Sequence, residues 1–271
     1  MTNLLCLITG LLFLCTSSLV AGGLDSNLIS YYIPTHFSSP SKRDTYVGGC
    51  YGYFGYSVHS LELEWDRIFL QPQSQLTQEN IMGVYTYYGL PSLRLKCGLQ
   101  YLIASDPAIC WMVGMDKDFF DYYGYKRWTG GFALFESSYQ GIAPWQVSPF
   151  VRVYLTPDTS ITTRLNTQYI SRNTPTTVLN SVDVDLKSAW QALSITIQMH
   201  VGESKYSVEN DGFVFFNTGD LLLDGAGCLG SLQLTPHLSL TTGYQYRRIR
   251  VVGDETESYF SKLIAMACYH F

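Results

Sequence analysis

The chain has 271 residues, of which 14% are charged and 15% are aromatic. A charged fraction far below the usual value of about 25% argues against a disordered tail protein, a coiled coil or an ordinary cytosolic enzyme. The formal net charge of −5 provides no basic surface for nucleic acid, so nucleic-acid binding is excluded from the expected functions.

The N-terminal segment has the composition of a secretory signal peptide. Leu4 to Val20 contains no charged residue and is followed by the small residues Ala21 to Gly23. We therefore expect residues 1–22 to be a signal peptide that is cleaved. The first three residues lack the usual basic side chain, so an N-terminal membrane anchor is the alternative.

Two segments precede the first clear strand pattern. Residues 23–46 contain Pro34, Pro40 and many serines, and we expect them to form a flexible lead. Residues 47–58 carry the run Gly-Gly-Cys-Tyr-Gly-Tyr-Phe-Gly. This segment is either a lead into the first strand or an extra strand.

From about residue 60 onward, apolar residues recur at every second position. Leu193 to Val201 alternates without an error, which is typical of a strand with one apolar and one polar face. Beyond the leader there is no apolar run of the roughly 18 residues that a transmembrane helix needs. The alternation predicts twelve strands at about residues 60–70, 78–88, 93–103, 110–120, 128–137, 145–155, 160–170, 181–190, 193–202, 221–234, 238–249 and 258–271.

Alternation alone fits a soluble sandwich or a lipocalin-like barrel as well as a membrane barrel. The segments are about ten to fourteen residues long, which matches a tilted membrane span, whereas strands of soluble proteins are mostly about five or six residues long. Aromatic residues also lie near the segment ends, where interfacial girdles form. These aromatic residues are Tyr101, Trp128, Trp145, Tyr169, Trp190 and Tyr259.

The C-terminus adds a more specific signal. The last segment ends in Tyr-His-Phe, and Tyr269 and Phe271 share one face with apolar residues at alternate positions before them. This segment resembles the terminal strand of bacterial outer-membrane β-barrel proteins. The resemblance implies an all-β, transmembrane, antiparallel up-and-down barrel over residues 47–271. It also implies a location in the outer membrane, lipid contacts, and recognition of Tyr269 and Phe271 by the barrel-assembly machinery.

Connection lengths support the same topology. If Phe271 is periplasmic, the connections on that side are mostly tight, whereas the opposite side receives the longer ones, including residues 203–220. The expected lead at residues 23–46 then lies in the periplasm. Bacterial barrels of one chain have an even number of strands, so we expect about twelve, within a range of ten to fourteen.

The polar phase of the strands supplies the expected wall of the lumen. A barrel of about twelve strands has a narrow lumen, so we expect a porin-like passive channel for small polar solutes. We expect the acids of this set to be balanced by its bases across the barrel. A plugged structural or surface-interaction barrel is the alternative. The pore-lining candidates are Glu62, Glu64, Asp66, Arg94, Lys96, Arg152, Arg164, Asp183, Asp185, Lys187 and Arg247.

Three further motifs are weaker. Gly225 to Gly230 has the letters of a dinucleotide fingerprint, but an alternating stretch follows where the fingerprint requires a helix. Asp116-Lys-Asp118 with Asp121 lacks the glycine and glutamate of a calcium loop, so a solvated turn is expected there. Outside the leader, five cysteines without close pairs indicate neither a zinc site nor a disulfide framework. We expect no cofactor and no metal.

A lipid-acting hydrolase is the second alternative. Outer-membrane phospholipases and lipid A deacylases place a serine and a histidine two residues apart on one strand face. Ser57 and His59 have this spacing in reverse order, and His36 and Ser38 have it in the forward order. Each histidine would need a carbonyl or carboxylate group to orient it, and the sequence identifies none.

Overall fold

The computed structural model describes residues 25–70, 75–104, 107–139, 142–171, 176–205, 208–209, 214–215, 220–251 and 257–271. The expected signal peptide lies outside these ranges. The strands of the described residues are β1 (Asp25–Phe37), β2 (Thr45–Tyr56), β3 (His59–Leu70), β4 (Gln75–Leu90), β5 (Leu93–Ala104), β6 (Ala108–Phe120), β7 (Lys126–Tyr139), β8 (Trp145–Thr156), β9 (Thr159–Ile170), β10 (Thr177–Trp190), β11 (Leu193–Gly202), β12 (Val208–Glu209), β13 (Val214–Phe215), β14 (Leu221–Thr235), β15 (Leu238–Arg250) and β16 (Glu257–His270).

Fourteen of these strands form one closed antiparallel barrel. Successive strands pair with each other, and β11 pairs with β14 because the short β12 and β13 form a separate two-stranded sheet. The barrel closes where β1 pairs with β16, from Asn27 opposite His270 to Phe37 opposite Phe260. The described residues contain no helix that is long and apolar enough to cross a membrane.

The strand number corrects the expectation of twelve. All twelve expected strands are present, and β1 and β2 are added to them. The expectation of a flexible lead over residues 23–46 is wrong for the described part, because β1 and the start of β2 belong to the barrel wall. Pairing between β1 and β16 is interrupted at Ile33 and Pro34. Proline has no backbone N–H to donate, and this interruption accommodates it.

The strands alternate between an exposed apolar face and an inward face. Leu61, Leu63 and Leu99 are exposed on the outside, whereas Glu64 and Gln100 on the same strands are buried inside. The aromatic residues expected near the strand ends are all exposed on the outer face. An apolar outer band between aromatic ends is the surface that a lipid-embedded barrel presents.

The two ends of the barrel differ in the length of their connections. At one end, which we call the short-turn end, connections such as residues 57–58, 91–92 and 191–192 join neighbouring strands. Ser57, Ser92 and Gln191 adopt positive φ angles of 55°, 60° and 50° in these turns. The opposite end, which we call the long-loop end, carries the connection from β11 to β14. Phe271 lies at the short-turn end, where its amide donates to the carbonyl of Ser26.

The glycine-rich segment at residues 225–230 lies inside β14 and begins no helix. A Cβ atom at Gly225 would lie 2.5 Å from the Arg247 side chain, and one at Gly227 would lie 2.6 Å from the Gln245 side chain. These glycines therefore make room for two large inward side chains of β15. The expectation of a barrel strand rather than a nucleotide site agrees with this placement.

The side-chain directions on β11 allow a direct test of which face of the barrel contacts the membrane. Ile197 is exposed on the outer face, and Thr196 is half-buried on the inner face. We expect Ile197→Arg to lower the free energy of unfolding by about 2–4 kcal/mol near the bilayer midplane. Thr196→Arg, as the matched control, should cost much less because its charge enters the lumen. Urea unfolding in lipid vesicles measures both, and equal tolerance at the two positions would contradict the assigned faces.

Candidate functional site

The candidate site is the lumen of the barrel. The eleven candidate pore-lining residues all occupy the inward phase of β3, β5, β8, β9, β10 or β15. Their exposure varies, because Glu64, Asp66 and Arg247 are buried whereas Lys187, near the short-turn end, is exposed. The strand alternation therefore brings these charged groups into one interior space.

An ion-pair network on β5, β6 and β7 lies in the half of the lumen nearest the short-turn end. Arg94 donates two hydrogen bonds of 2.8 Å to the two carboxylate oxygens of Asp118. Lys126 lies 2.9 Å from Asp118, and Lys96 lies 2.8 Å from Asp116. Thr129 donates a further 2.6 Å bond to Asp118. Each buried carboxylate is thus held by cations on neighbouring strands.

This network corrects two expectations. Asp116 and Asp118 do not form a solvated turn, because they lie on the inward face of β6 with exposures of 6% and 9%. Arg94 and Lys96 form ion pairs with these two acids of the neighbouring strand β6, whereas the expected charge balance was across the barrel. Adjacent strands bring side chains closer than opposite walls of the barrel do, so the adjacent pairs form.

A second network joins β1, β3, β4 and β5. The hydroxyl of Tyr31 donates to Glu64 at 2.5 Å and approaches Asp66 at 3.3 Å. Asn80 donates to Asp66 at 3.2 Å and accepts a 2.9 Å hydrogen bond from Gln100. These contacts leave two buried acceptors without a partner, Oε2 of Glu64 and Oε1 of Gln100.

A glycine on β2 makes this second network possible. Gly49 lies opposite both Tyr31 and Asp66 in the sheet. A Cβ atom at Gly49 would lie 2.6 Å from the tyrosine ring and 2.7 Å from the Asp66 side chain. The absence of a side chain therefore lets the tyrosine cross β2 and reach the carboxylates on β3.

The wall formed by β8 to β11 is lined with amides, hydroxyls and one histidine beside the charged pore-lining candidates of β8, β9 and β10. Nδ1 of the buried His200 lies 2.6 Å from Asp183, which also accepts a 2.6 Å hydrogen bond from Asn166. Ser148 donates to Asn166, and Gln168 donates to Gln146. This wall is polar and largely hydrogen-bonded internally.

The opposite wall is different, because it borders a cavity of about 700 Å³. The cavity extends from the long-loop end to the middle of the lumen, and it is bordered by β1 to β5, β11, β14, β15 and β16. Most of the surface of this cavity is apolar, although the residues that form it point into the lumen, where polar side chains are usual. The second network contributes polar groups to this lining through Glu64, Asp66, Asn80 and Gln100. Further polar side chains, such as Gln78, Gln198 and Gln245, also border the cavity.

The described ends of the β11–β14 connection fold over the long-loop end of the lumen. The backbone of Ser204 pairs with that of Leu222, and the amide of Lys205 donates to the inward Gln168. At the other end of the connection, Asp220 forms a 2.7 Å ion pair with Lys42 and lines the cavity. These contacts narrow the mouth of the lumen.

The two serine–histidine pairs have different surroundings. Nδ1 of His59 lies 2.6 Å from the hydroxyl of Tyr85 and not from a carboxylate. His36 lies 2.8 Å from Asp44 at the long-loop end. Burial alone would raise the pKa of Asp44, but hydrogen bonds from His36 and the Phe37 amide outweigh it and lower that pKa. Ser38 accepts a hydrogen bond from the amide of Tyr259.

The described residues form neither a metal-binding cluster nor a disulfide bond. No group of three or more histidine, cysteine, aspartate or glutamate side chains converges there to hold a metal ion. Cys50, Cys97, Cys110, Cys228 and Cys268 are free thiols.

Sequence reasoning missed Tyr31, Asn80, Gln100, Asp118 and His200. Tyr31 lies in a run where neighbouring positions are apolar on both faces, so period two does not reveal its direction. Asp118 follows a similar apolar stretch on β6. The alternation in β11 does place His200 on the inward face, and this signal was available from the sequence.

The first network predicts a stabilising role for Asp118. Asp118→Asn removes the shared negative charge and leaves Arg94 and Lys126 close together, so we expect the free energy of unfolding to fall by about 3 kcal/mol. Asp158→Asn, in an exposed turn, should change it by less than about 0.5 kcal/mol. Urea unfolding of the two variants at low salt makes the comparison. Coincident unfolding midpoints would contradict the structural role of Asp118.

Comparison with known proteins gives the fold a context. No protein-family model and no curated protein matches the sequence. Among solved structures, a bacterial polysaccharide outer membrane secretin shares 11% identity at a TM-score of 0.51, with 92% of this chain and 99% of that chain covered. The outer membrane protein Omp33 of Acinetobacter baumannii shares 9% identity at a TM-score of 0.50, with 92% and 100% covered.

A deletion mutant of TodX, described as a monoaromatic hydrocarbon channel, shares 8% identity at a TM-score of 0.51, with 92% of this chain and 90% of that chain covered. Identities this low establish similarity of fold alone. The resemblance of the C-terminal strand is confirmed at that level: the chain has the fold of bacterial outer-membrane β-barrel proteins.

Proposed function

We propose that the protein is a narrow passive channel for small polar solutes in the bacterial outer membrane. The observation that carries this proposal is the cavity of about 700 Å³ in a lumen that also contains rows of charged side chains. A structural barrel with a solid side-chain plug would not need such a space. The porin-like fold supports the same function.

Location and assembly form part of the proposal. The apolar outer face suits lipid, the leader at residues 1–22 would direct export, and the short-turn end would face the periplasm. Tyr269 and Phe271 lie at that end with their ring centroids 4.7 Å apart. Tyr269 lies on the outward phase of β16 and Phe271 directly follows that strand, so the barrel-assembly machinery could read the two residues as a signal.

Replacing two inward arginines, Arg152 and Arg164, tests the channel proposal. Arg152 donates a 2.9 Å hydrogen bond to Thr162, and the guanidinium of Arg164 lies 5.6 Å from the centre of the Phe150 ring. A fixed charge in a narrow lumen biases which ions enter, and salt screens that bias. Replacing both arginines with glutamine should shift the reversal potential toward cation selectivity in planar bilayers, most strongly at low ionic strength.

A matched control removes the same charge from two well-exposed arginines that pair with other acids. Arg127 and Arg248 have exposures of 58% and 46% and pair with Asp121 and Asp224. Their double replacement with glutamine should leave the reversal potential nearly unchanged. Inserted wild-type protein without any conductance would contradict the channel function. Conductance with unchanged selectivity in the Arg152 and Arg164 variant would contradict their placement along the ion path.

One observation favours a lipid-acting hydrolase as a second candidate function. His36 lies 2.8 Å from Asp44 at the long-loop end, so Asp44 could orient the histidine, and Ser38 follows His36 by two residues. Ser38 continues the pairing of β1 with β16, because its amide donates to the carbonyl of Tyr259. Its side chain therefore follows the outward phase of His36. This arrangement would place a nucleophile and a base near the outer membrane surface.

The second candidate predicts release of fatty acid from phospholipid in mixed micelles. Ser38→Ala should abolish this release, because it removes the hydroxyl proposed to attack the ester. Ser30→Ala, at another outward serine of β1, should retain it. Wild-type protein that releases no fatty acid, or equal release by the two variants, would refute the hydrolase.

A further inference from the structure

The cavity in the lumen combines two surfaces that a water-filled passage does not require. One is an apolar wall on the inward face of the barrel, where polar residues are normal. Ile33, Val47, Ile249 and Phe260 contribute to this wall, and Ile249 and Phe260 are only 1% and 3% exposed. At about 700 Å³ the cavity is of the size that holds small organic ligands. The apolar wall favours a ligand with an apolar body.

The other surface is the polar network of Tyr31, Glu64, Asp66, Asn80 and Gln100. Glu64 and Gln100 are 9% and 4% exposed, and each retains an acceptor oxygen without a hydrogen-bond partner. Buried acceptors without a donor are unfavourable, so they indicate that a donor completes the network.

The charged residues around the cavity indicate which charge that donor group carries. Its lining contains three acids, Glu64, Asp66 and Asp220, and one base, Lys262. Asp220 is paired with Lys42 at the mouth, and Lys262 lies 5.2 Å from the centre of the Phe260 ring. Two adjacent carboxylates therefore dominate the polar network. A carboxylate or phosphate ligand would be repelled there, whereas a cation is attracted.

We infer that the cavity is a binding site for small amphipathic amines, with an apolar body against the wall of β1, β2, β15 and β16 and an ammonium group at Glu64, Asp66 and Gln100. An ammonium group provides three N–H donors. The two unpaired acceptors and one further carboxylate oxygen can accept all three. The inference deepens the proposed channel function and rests on it for passage of the amine. Binding itself requires only the folded barrel.

Binding is tested by calorimetric titration of the folded, full-length protein in detergent, with protein-free micelles as the blank. Phenethylamine is the probe, hydrocinnamate has the same ring with an anionic head, and ethylamine has the ammonium group without the ring. We expect saturable binding of phenethylamine, with hydrocinnamate and ethylamine weaker by at least about tenfold. Absence of saturable phenethylamine binding, or equal binding of hydrocinnamate, would overturn the inference.

Variants locate the site. Glu64→Gln should weaken phenethylamine binding by at least about tenfold, because it removes a buried charge from the ammonium. Glu79→Gln changes an outward acid of β4 that contacts Trp65 and Arg67, so it should leave affinity within about twofold. Val47→Trp fills the apolar part of the cavity and should also weaken binding, without changing any charge. Heat-modifiable migration shows that each variant is folded.

Planar-bilayer recordings separate this inference from the channel function. Blockade of the current by phenethylamine, lost in Glu64→Gln, supports both. Conductance without phenethylamine binding would overturn the amine site and leave the channel intact. Phenethylamine binding without conductance would overturn the channel and retain the site. Equal affinity of the wild type and the folded Glu64→Gln variant would refute the assigned position of the ammonium group.

Discussion

The pairing of β1 with β16 is the constraint on which the rest of the structure depends. In the hydrocarbon of a membrane, an unpaired backbone N–H or C=O group has no water to bond, so a sheet must close on itself. Here the closing seam runs from Asn27 to Phe37 on β1 and is interrupted only near Pro34. Closure turns one face of every strand inward and so creates the lumen.

Within the lumen, charge is balanced between neighbouring strands. Arg94 and Lys126 meet Asp118, and Asp183 meets His200 on the next strand. Such pairs occupy part of the lumen wall and fix side chains that would otherwise extend across it. The barrel therefore restricts its lumen by ordering the groups along its wall, while the space beside β1 to β3 and β14 to β16 stays open.

The lumen is consequently asymmetric. The wall of β8 to β11 carries charged side chains, amides and hydroxyls, whereas the opposite wall is mostly apolar and includes the network around Glu64 and Asp66. A solute that enters from the long-loop end would meet both surfaces. This arrangement can orient an amphipathic molecule, whereas a uniformly polar lumen cannot.

The sequence by itself determined the class of fold, the twelve strands from residue 60 onward and the inward phase of residues such as Arg152 and Arg164. It could do so because a strand's side chains alternate and only one face meets lipid. It did not reveal β1 or the inward direction of Tyr31 and Asp118, because both phases are apolar there and period two vanishes. It left residues 47–58, which supply most of β2, open as a lead or an extra strand. Only the tertiary structure decided which charges pair and where the cavity lies. These depend on the register between strands and on glycines such as Gly49, whose effect appears only when a neighbouring strand packs against them.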